Sequence, residues 1–504
     1  MKKLEKLPLI VVLMGIGALA MYVPAFHAMA NRAYFVARAF FYSGTLFLVL
    51  TILLGVATIS HVSRHRARDQ LMTLVVAYTL LPAMLAVPLS ENVRDTSFLN
   101  AWWEMVSAFS TTGASLFEPS QLAESVHLWR ALVGWMGGGL MLVAAVAILA
   151  PLNLGGFEVL TGGGAGQTFV SGAQVTGRAS VAERVRRQAL SIIPVYAALT
   201  ALLWIGLIMA GDSAFVAICH AMSVLSTSGI SPVGGLSGAH SGLTGEMMML
   251  VLMIFGLSRK LYPSDRTFRK EQHLLDDPEL RLAVLILTVV PALLFLRHWV
   301  GALGEDEIDD TRAAFGALWG TVFTVLSFLT TTGFESIDWG QARNWSGLAT
   351  PGLILVGLAV IGGGVATTAG GVKLLRVYAL YRHGEREVER LVHPSSLGGA
   401  GTQARRLRRQ GAQMAWIFFM LFALSIAVTM LFLSLTGLDF EASTIFAVSA
   451  LSTTGPLASF AGSVPLAWSE LDGAARAITA AAMVLGRLET LAIIALLNPD
   501  FWRS

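Results

Sequence analysis

The chain has 504 residues, 55% of them hydrophobic, with a mean hydropathy of +0.67 and formal charge on only 13%. Soluble domains carry about 25% charged residues, so this composition excludes a soluble protein of ordinary surface and indicates an integral membrane protein. The net charge of +3 does not indicate a nucleic-acid binder, because the basic residues fall in short loops between apolar runs; the single cysteine, Cys219, excludes a disulfide framework, a thiol zinc site and a CxxC pair.

A membrane-spanning helix needs about 20 mainly apolar residues. Ten runs of that kind fall near 8–29, 36–60, 71–89, 128–151, 190–210, 245–262, 280–300, 348–371, 412–436 and 473–497. The first follows Lys2, Lys3 and Lys6 and ends near Ala28-Met29-Ala30, features shared with secretory leaders. Its length and the second run directly after it favour a retained anchor. Four shorter apolar segments, near 98–111, 213–226, 314–330 and 442–453, are too short to span and fit re-entrant helices. With the N-terminus inside, the segments 1–7, 61–70, 151–189, 259–281 and 371–411 and the end from Arg487 hold 27 of the 35 Lys and Arg residues. Acidic residues such as Glu305, Asp306 and Glu307 fall on the other side. The positive-inside rule therefore places both termini in the cytoplasm, and the four short segments enter from outside.

Each short segment ends in nearly the same words. They read Ser110-Thr111-Thr112-Gly113, Ser226-Thr227-Ser228-Gly229, Thr330-Thr331-Thr332-Gly333 and Ser452-Thr453-Thr454-Gly455. The glycines are 116, 104 and 122 residues apart, far beyond the about 20–50 residues of stacked solenoid repeats. The expected fold is an all-α membrane protein of about ten transmembrane helices. Two N-terminal helices (1–65) precede four pseudo-symmetric units of helix, pore loop and helix around one pore. The units are 66–188, 189–278, 279–400 and 401–504, with candidate filters at 110–114, 226–230, 330–334 and 452–456.

The physics of such a unit selects a cation. A pore helix ending mid-membrane aims its C-terminal carbonyls, worth roughly −0.5 charge, at one spot. Non-helical backbone is tolerated there only where protein or a water-filled path surrounds it. Glycine permits the positive φ values of a returning loop, hydroxyls help to hold it, and a ring of backbone oxygens replaces the water around a desolvated monovalent ion. The candidate ion-binding residues are Thr111, Thr112, Gly113, Thr227, Ser228, Gly229, Thr331, Thr332, Gly333, Thr453, Thr454 and Gly455.

From about residue 36 to 497 the chain resembles the Trk/Ktr/HKT superfamily of potassium transporters, most closely the membrane subunits of bacterial Trk uptake systems. The resemblance rests on the four filter strings, on Trp135-Met136-Gly137-Gly138, on the glycine-rich stretch Gly362-Gly363-Gly364 through Gly370-Gly371-Val372-Lys373, and on Gly486-Arg487-Leu488-Glu489. It implies potassium uptake across the bacterial inner membrane, with K+ as transported ion and no organic cofactor. It also implies a homodimer in the lipid bilayer and a cytosolic nucleotide-binding regulatory subunit of the Trk-A type, with no nucleic-acid partner. Two strings depart from the family pattern. The second filter lacks a double glycine, and the third unit's broken helix reads Val365-Ala366-Thr367-Thr368-Ala369. A sodium or less selective monovalent cation transporter of the same fold is the alternative, although Gly113, where sodium-selective relatives carry serine, favours potassium.

The break after Ile361 is visible without any relative, since each glycine costs about 1 kcal/mol against alanine inside a helix. The segment near 361–371 therefore reads as an intramembrane loop, and close helix packing through small residues is the competing reading. The resemblance makes Gly362, Gly363, Gly364, Gly370 and Gly371, with Arg487, the gate beneath the filter. Arg487 lies deep in an apolar run, where a charge faces the bundle interior or a cavity; Glu489, two residues on, shares no helix face with it. Lys373 reads as the cytoplasmic boundary of its helix, and Cys219 and His220 as packed residues. Arg405, Arg406, Arg408 and Arg409 are a candidate docking stretch for the partner subunit, or simple inner-face charge. Enzyme readings find no HExxH, GxSxG or GxxxxGK[ST], and Gly162–Gly166 has no strand before it. A transporter of inverted repeats is disfavoured because all four units share one orientation and offer hydroxyls and carbonyls rather than carboxylates.

Overall fold

The computed structural model describes residues 7–58, 67–93, 96–152, 154–159, 181–262, 276–301, 311–346, 352–393, 409–462 and 464–489. The glycine run at 162–166, the acidic cluster at 305–310, Arg405, Arg406 and Arg408, and both termini lie outside the described residues. All regular structure among the described residues is helical.

Seven helices are long and apolar enough to cross a membrane: Leu9–Ala30, Tyr34–Thr58, Gln70–Asn92, Glu124–Leu152, Glu183–Met209, Pro278–Leu296 and Gly411–Leu435. The other three apolar runs are helical over shorter lengths, as Gly242–Met253, Gly352–Ile361 and Gly473–Leu488. The cause lies in the backbone. The first tightens into a 3-10 turn at Ile254–Gly256, the second leaves the helix at Gly362 with φ +72°, and the third stops at Glu489 with φ +63°. A further helix, Leu374–Val392, follows the second break.

The four short segments form helices at Phe98–Phe109, Ala214–Ser226, Thr311–Leu329 and Phe440–Leu451. Three have side-chain N-caps, since Ser97, Ser213 and Asp439 accept from the backbone N–H groups of Asn100, Val216 and Ala442 at 3.3, 3.2 and 2.8 Å. These caps satisfy N–H groups that a helix start leaves open. Burial grades inward from the periphery. Leu9–Ala30 and Tyr34–Thr58 pack on each other and on the next helix at one flank, and turn Phe26, Leu53 and Val56 outward. Glu124–Leu152 is 78% buried against 22% for Gly411–Leu435, which puts the former inside and the latter on the rim.

A buried ion pair joins the first short helix to this interior helix. Arg130 on the Glu124 helix meets Glu104 of the first short helix at 2.6 Å, both buried, and Glu104 also accepts from the Leu116 N–H at 3.0 Å. Removing one member of such a pair strands a buried charge at a cost of about 3–5 kcal/mol, whereas removing both charges costs far less. Arg130→Met should lower the thermal unfolding midpoint in detergent strongly. Arg130→Met combined with Glu104→Gln, which keeps an acceptor for Leu116, should recover most of the loss. Equal midpoints for the single and double variants would overturn this account.

Candidate functional site

The four short helices end in one and the same turn. In each, the second residue of the repeated string (Thr111, Thr227, Thr331, Thr453) is left-handed, with φ of 58°, 53°, 57° and 56°. Its N–H reaches back three residues, to the carbonyls of Ala108, Val224, Phe328 and Ala450. The next N–H reaches back five, from Thr112, Ser228, Thr332 and Thr454 to the carbonyls of Ser107, Ser223, Ser327 and Ser449, at 2.8–2.9 Å. This is the paired-bond helix terminus that glycine normally closes, here closed by threonine. The first and third hydroxyls of every string are also bonded: Ser110 to Thr112, Ser226 to Ser228, Thr330 to Thr332 and Ser452 to Thr454, at 2.8, 3.0, 3.0 and 3.2 Å. The expectation that glycine carries the positive φ holds for Gly113, Gly229 and Gly333 but not for Gly455. A threonine two residues earlier carries it in all four.

The glycines do something else: they let the loops touch. A Cβ on Gly113 would stand 1.7 Å from the Ser228 carbonyl oxygen, and one on Gly229 would stand 2.3 Å from that of Thr332. One on Gly333 would meet Pro456 at 3.0 Å, and one on Gly455 would meet the Ala114 nitrogen at 2.3 Å. The Gly455 N–H also donates to the Thr112 carbonyl at 2.7 Å. Loop one therefore meets loop two, two meets three, three meets four, and four closes on one. All twelve candidate ion-binding residues stand in this closed ring.

The segment after Ile361 is non-helical to Lys373 and lies against three of these loops. Its Thr368 hydroxyl donates to the Leu225 carbonyl at 3.2 Å, the Gly370 N–H donates to Thr331 Oγ1 at 2.7 Å, and a Cβ on Gly370 would meet the Ser452 carbonyl at 2.1 Å. The segment is tied rather than loose. Gly364 N–H and the Thr367 hydroxyl both donate to the Gly256 carbonyl, at 2.9 and 3.1 Å, and Val365 N–H donates to Glu279 Oε1 at 2.7 Å. Arg487, 2% exposed, donates from Nη1 to the Thr368 carbonyl at 2.6 Å.

The chain matches the TrkH family model, described as cation transport protein, over residues 37–502. The chain belongs to the TrkH family of cation transport proteins. It is 29% identical over 458 residues to the Trk system potassium uptake protein TrkH of Vibrio parahaemolyticus, covering 88% of each. It is 28% identical over 445 residues to that of Salmonella typhimurium, covering 87% of each. Its fold superposes on the crystal structure of the potassium transporter TrkH from Vibrio parahaemolyticus with a TM-score of 0.82 at 24% identity, over 100% of both chains.

Within this TrkH-family chain several residues of the site escape a reading of the sequence. The Lys373 side chain is buried within the protein, 3% exposed, and donates to the Ala369 carbonyl. Glu489 meets Arg376 at 2.6 Å, both buried, with the Arg376 guanidinium 3.5 Å from the Phe418 ring centroid. Val365 packs against Gly156, where a Cβ would stand 2.2 Å from its Cγ2. Glu246 accepts from Trp319, Ser336 and Ile337 at 2.7–2.8 Å and so braces the third loop. The one available signal was in the repeat itself, since Ser107, Ser223, Ser327 and Ser449 each stand three residues before their strings. Cys219 and His220 are buried as expected, with His220 Nε2 at 2.9 Å from the Ser231 hydroxyl.

Thr331→Val should leave the Gly370 N–H buried without an acceptor, a loss of about 1–3 kcal/mol. Hydrogen exchange measured by mass spectrometry should then be at least about fivefold faster across residues 369–371. Thr111→Val is the control, because Thr111 Oγ1 has no hydrogen-bond partner among the described residues. Equal protection in the two variants would overturn the tie.

Proposed function

We propose that this chain takes up potassium across the bacterial cytoplasmic membrane through the ring of four Thr-Gly loops. The segment from Gly362 to Gly371, with Arg487, is the gate. The observation that carries this reading is the closed ring: four helix C-termini, identically capped, bring their last carbonyls and hydroxyls to one place. The partial negative charge of each terminus and a cage of backbone oxygens suit a desolvated monovalent cation. The names of the relatives support potassium as that cation, and the activity is transport rather than chemistry. In this reading the four repeats follow the two N-terminal helices, and both termini face the cytoplasm. The working unit is a homodimer whose gate is moved by a cytosolic nucleotide-binding regulatory subunit of the Trk-A type.

The direct test is growth. Expression in a potassium-uptake-deficient bacterium should restore growth at low potassium, and well-expressed protein that fails to do so with its partner subunit present would overturn the proposal.

Selectivity follows from the close approach at Gly113. A side chain there must displace the Ser228 carbonyl, which lies 1.7 Å from the ideal Cβ position, and must also adopt φ +73°. Gly113→Ser should reduce the potassium-to-sodium permeability ratio about tenfold, equivalent to about 1.4 kcal/mol, with expression retained. An unchanged ratio would remove loop one from the filter. A parent that already prefers sodium would favour the alternative cation reading.

Gating follows from charge. A unit positive charge about 4 Å from the ion path opposes a cation by about 4 kcal/mol at an effective dielectric near 20, more than two decades in rate. Arg487→Ala removes that charge and the bond to Thr368. Isotope uptake into vesicles holding the membrane subunit alone should rise more than about tenfold. Uptake equal to the parent at matched protein would sink the gate while leaving the filter reading intact.

A further inference from the structure

A cavity of about 480 Å³ lies on the flank of the bundle. Its walls come from five helices: Leu9–Ala20, Ala67–Asn92, Glu124–Ala144, Val181–Met209 and, at one end, Phe98–Phe109. The lining is aliphatic and aromatic apart from one charged side chain, Arg186. Ile16 and Leu190 on its rim are exposed, so the cavity is a groove open on the outer surface.

The groove has a direction. Leu7 and Arg186 stand at one end, near the starts of two helices; Lys2, Lys3 and Lys6 precede the first, and Arg184 and Arg187 flank Arg186 within the second. Gly17, Leu85 and Phe109 stand at the other. From Leu9 to Gly17 the wall rises about 12 Å at 1.5 Å per residue, most of the about 15 Å that one leaflet contributes to the hydrocarbon core. The open end therefore lies at the headgroup level of the leaflet that the Lys and Arg distribution assigns to the cytoplasm. Basic charge surrounds that end. Arg184, Arg186 and Arg187 fall within one turn of the helix, against one carboxylate, Glu183.

We propose that this groove is a site for a membrane phospholipid with an anionic headgroup, one acyl chain lying in the groove and the phosphate meeting Arg186. The apolar lining matches a chain in length and chemistry, and the charge at its mouth matches the headgroup. The deep end gives the site a consequence. Phe109 is the last residue of the first pore helix, and its carbonyl lies where a Cβ on Gly137 would stand 1.9 Å away. An acyl chain against Phe109 buttresses the helix one residue before Ser110.

The test is native mass spectrometry of the full-length protein in detergent, delipidated and then titrated with phosphatidylglycerol or with phosphatidylcholine of the same acyl chains. One phosphatidylglycerol per chain should be retained in preference to phosphatidylcholine. Ala189→Trp and Leu13→Trp, which fill the groove from different helices, should each lose it. Arg186→Gln should lower the preference for phosphatidylglycerol about fivefold, equivalent to the about 1 kcal/mol that a basic residue contributes at an anionic surface. Should one Trp variant fail to elute as folded protein, the other and Arg186→Gln decide the outcome. Equal retention of the two lipids by the parent, or undiminished lipid in the Trp variants, overturns the proposal. A shift from dimer to monomer in those variants with an unchanged lipid count also overturns it, and assigns the groove to a second copy of the chain.

Discussion

Every backbone polar group inside a bilayer must find a partner within the protein, and a short helix that ends in the buried interior leaves its last carbonyls without helical partners. The four short helices meet this requirement with a left-handed threonine and two backward bonds each, from the Thr111 and Thr112 N–H groups to Ala108 and Ser107 and likewise in the other three. The rest of the architecture depends on that turn. Because it satisfies the N–H groups internally, carbonyls of the same turns are left to face the neighbouring loops, as Ser228, Thr332 and Thr112 do toward Gly113, Gly229 and Gly455. Glycine is required at those contacts because any Cβ would occupy the neighbour's carbonyl.

Below the ring the fourfold likeness gives way to two pairs. After loops one and four the returning helix passes the pore-helix end with a glycine pressed on a carbonyl, Gly137 on Phe109 and Gly486 on Leu451. After loops two and three it breaks, at Ile254–Gly256 and at Gly362. The breaks serve each other, for the Gly256 carbonyl, released from its helix, accepts both Gly364 N–H and the Thr367 hydroxyl. Charged side chains complete the underside. Glu279 holds the Val365 N–H, Arg487 holds the Thr368 carbonyl, and Lys373 and the Arg376–Glu489 pair lie beside them. Buried charges are expensive, and each of these bonds either the non-helical segment from Gly362 to Lys373, its edge or another charge.

The sequence discloses the four strings because the same chemistry recurs at one point of a hydrophobic unit, and repetition separates signal from ordinary Ser/Thr-Gly turns. It discloses the break at Gly362 because consecutive glycines contradict a helix. It conceals what depends on pairing across the chain. Arg376 and Glu489 are 113 residues apart, and Glu279, at the start of an apolar run, reads as a surface acid until Val365 is placed against it. Lys373 misleads for a different reason. Hydropathy counts place a lysine after an apolar run in water, whereas the chain here leaves the helix at Gly362 and Lys373 is enclosed by protein at the Ala369 carbonyl. Ser107 and its three equivalents were open to discovery, but they act chiefly through their carbonyls, which any residue could supply.

The choice of threonine at the left-handed position is itself informative. Left-handed backbone costs an ordinary residue about 1–2 kcal/mol, and β-branching makes such a conformation a true outlier. Four copies store about 4–8 kcal/mol, comparable to the whole net stability of a typical domain at about 5–15 kcal/mol. Glycine or asparagine would relieve most of this and still close the helix, so helix capping alone does not explain threonine. What threonine adds is a stiff side chain and a hydroxyl held at the turn, and the four hydroxyls are used unequally. Thr331 accepts from the Gly370 N–H, Thr227 bonds its neighbour's carbonyl, and Thr111 and Thr453 have no hydrogen-bond partner in the described structure. Strain of this kind persists only where the surroundings over-determine it and concentrates at functional sites. Here the ring does the over-determining, since no loop can relax its threonine without moving the neighbour against which its glycine is pressed.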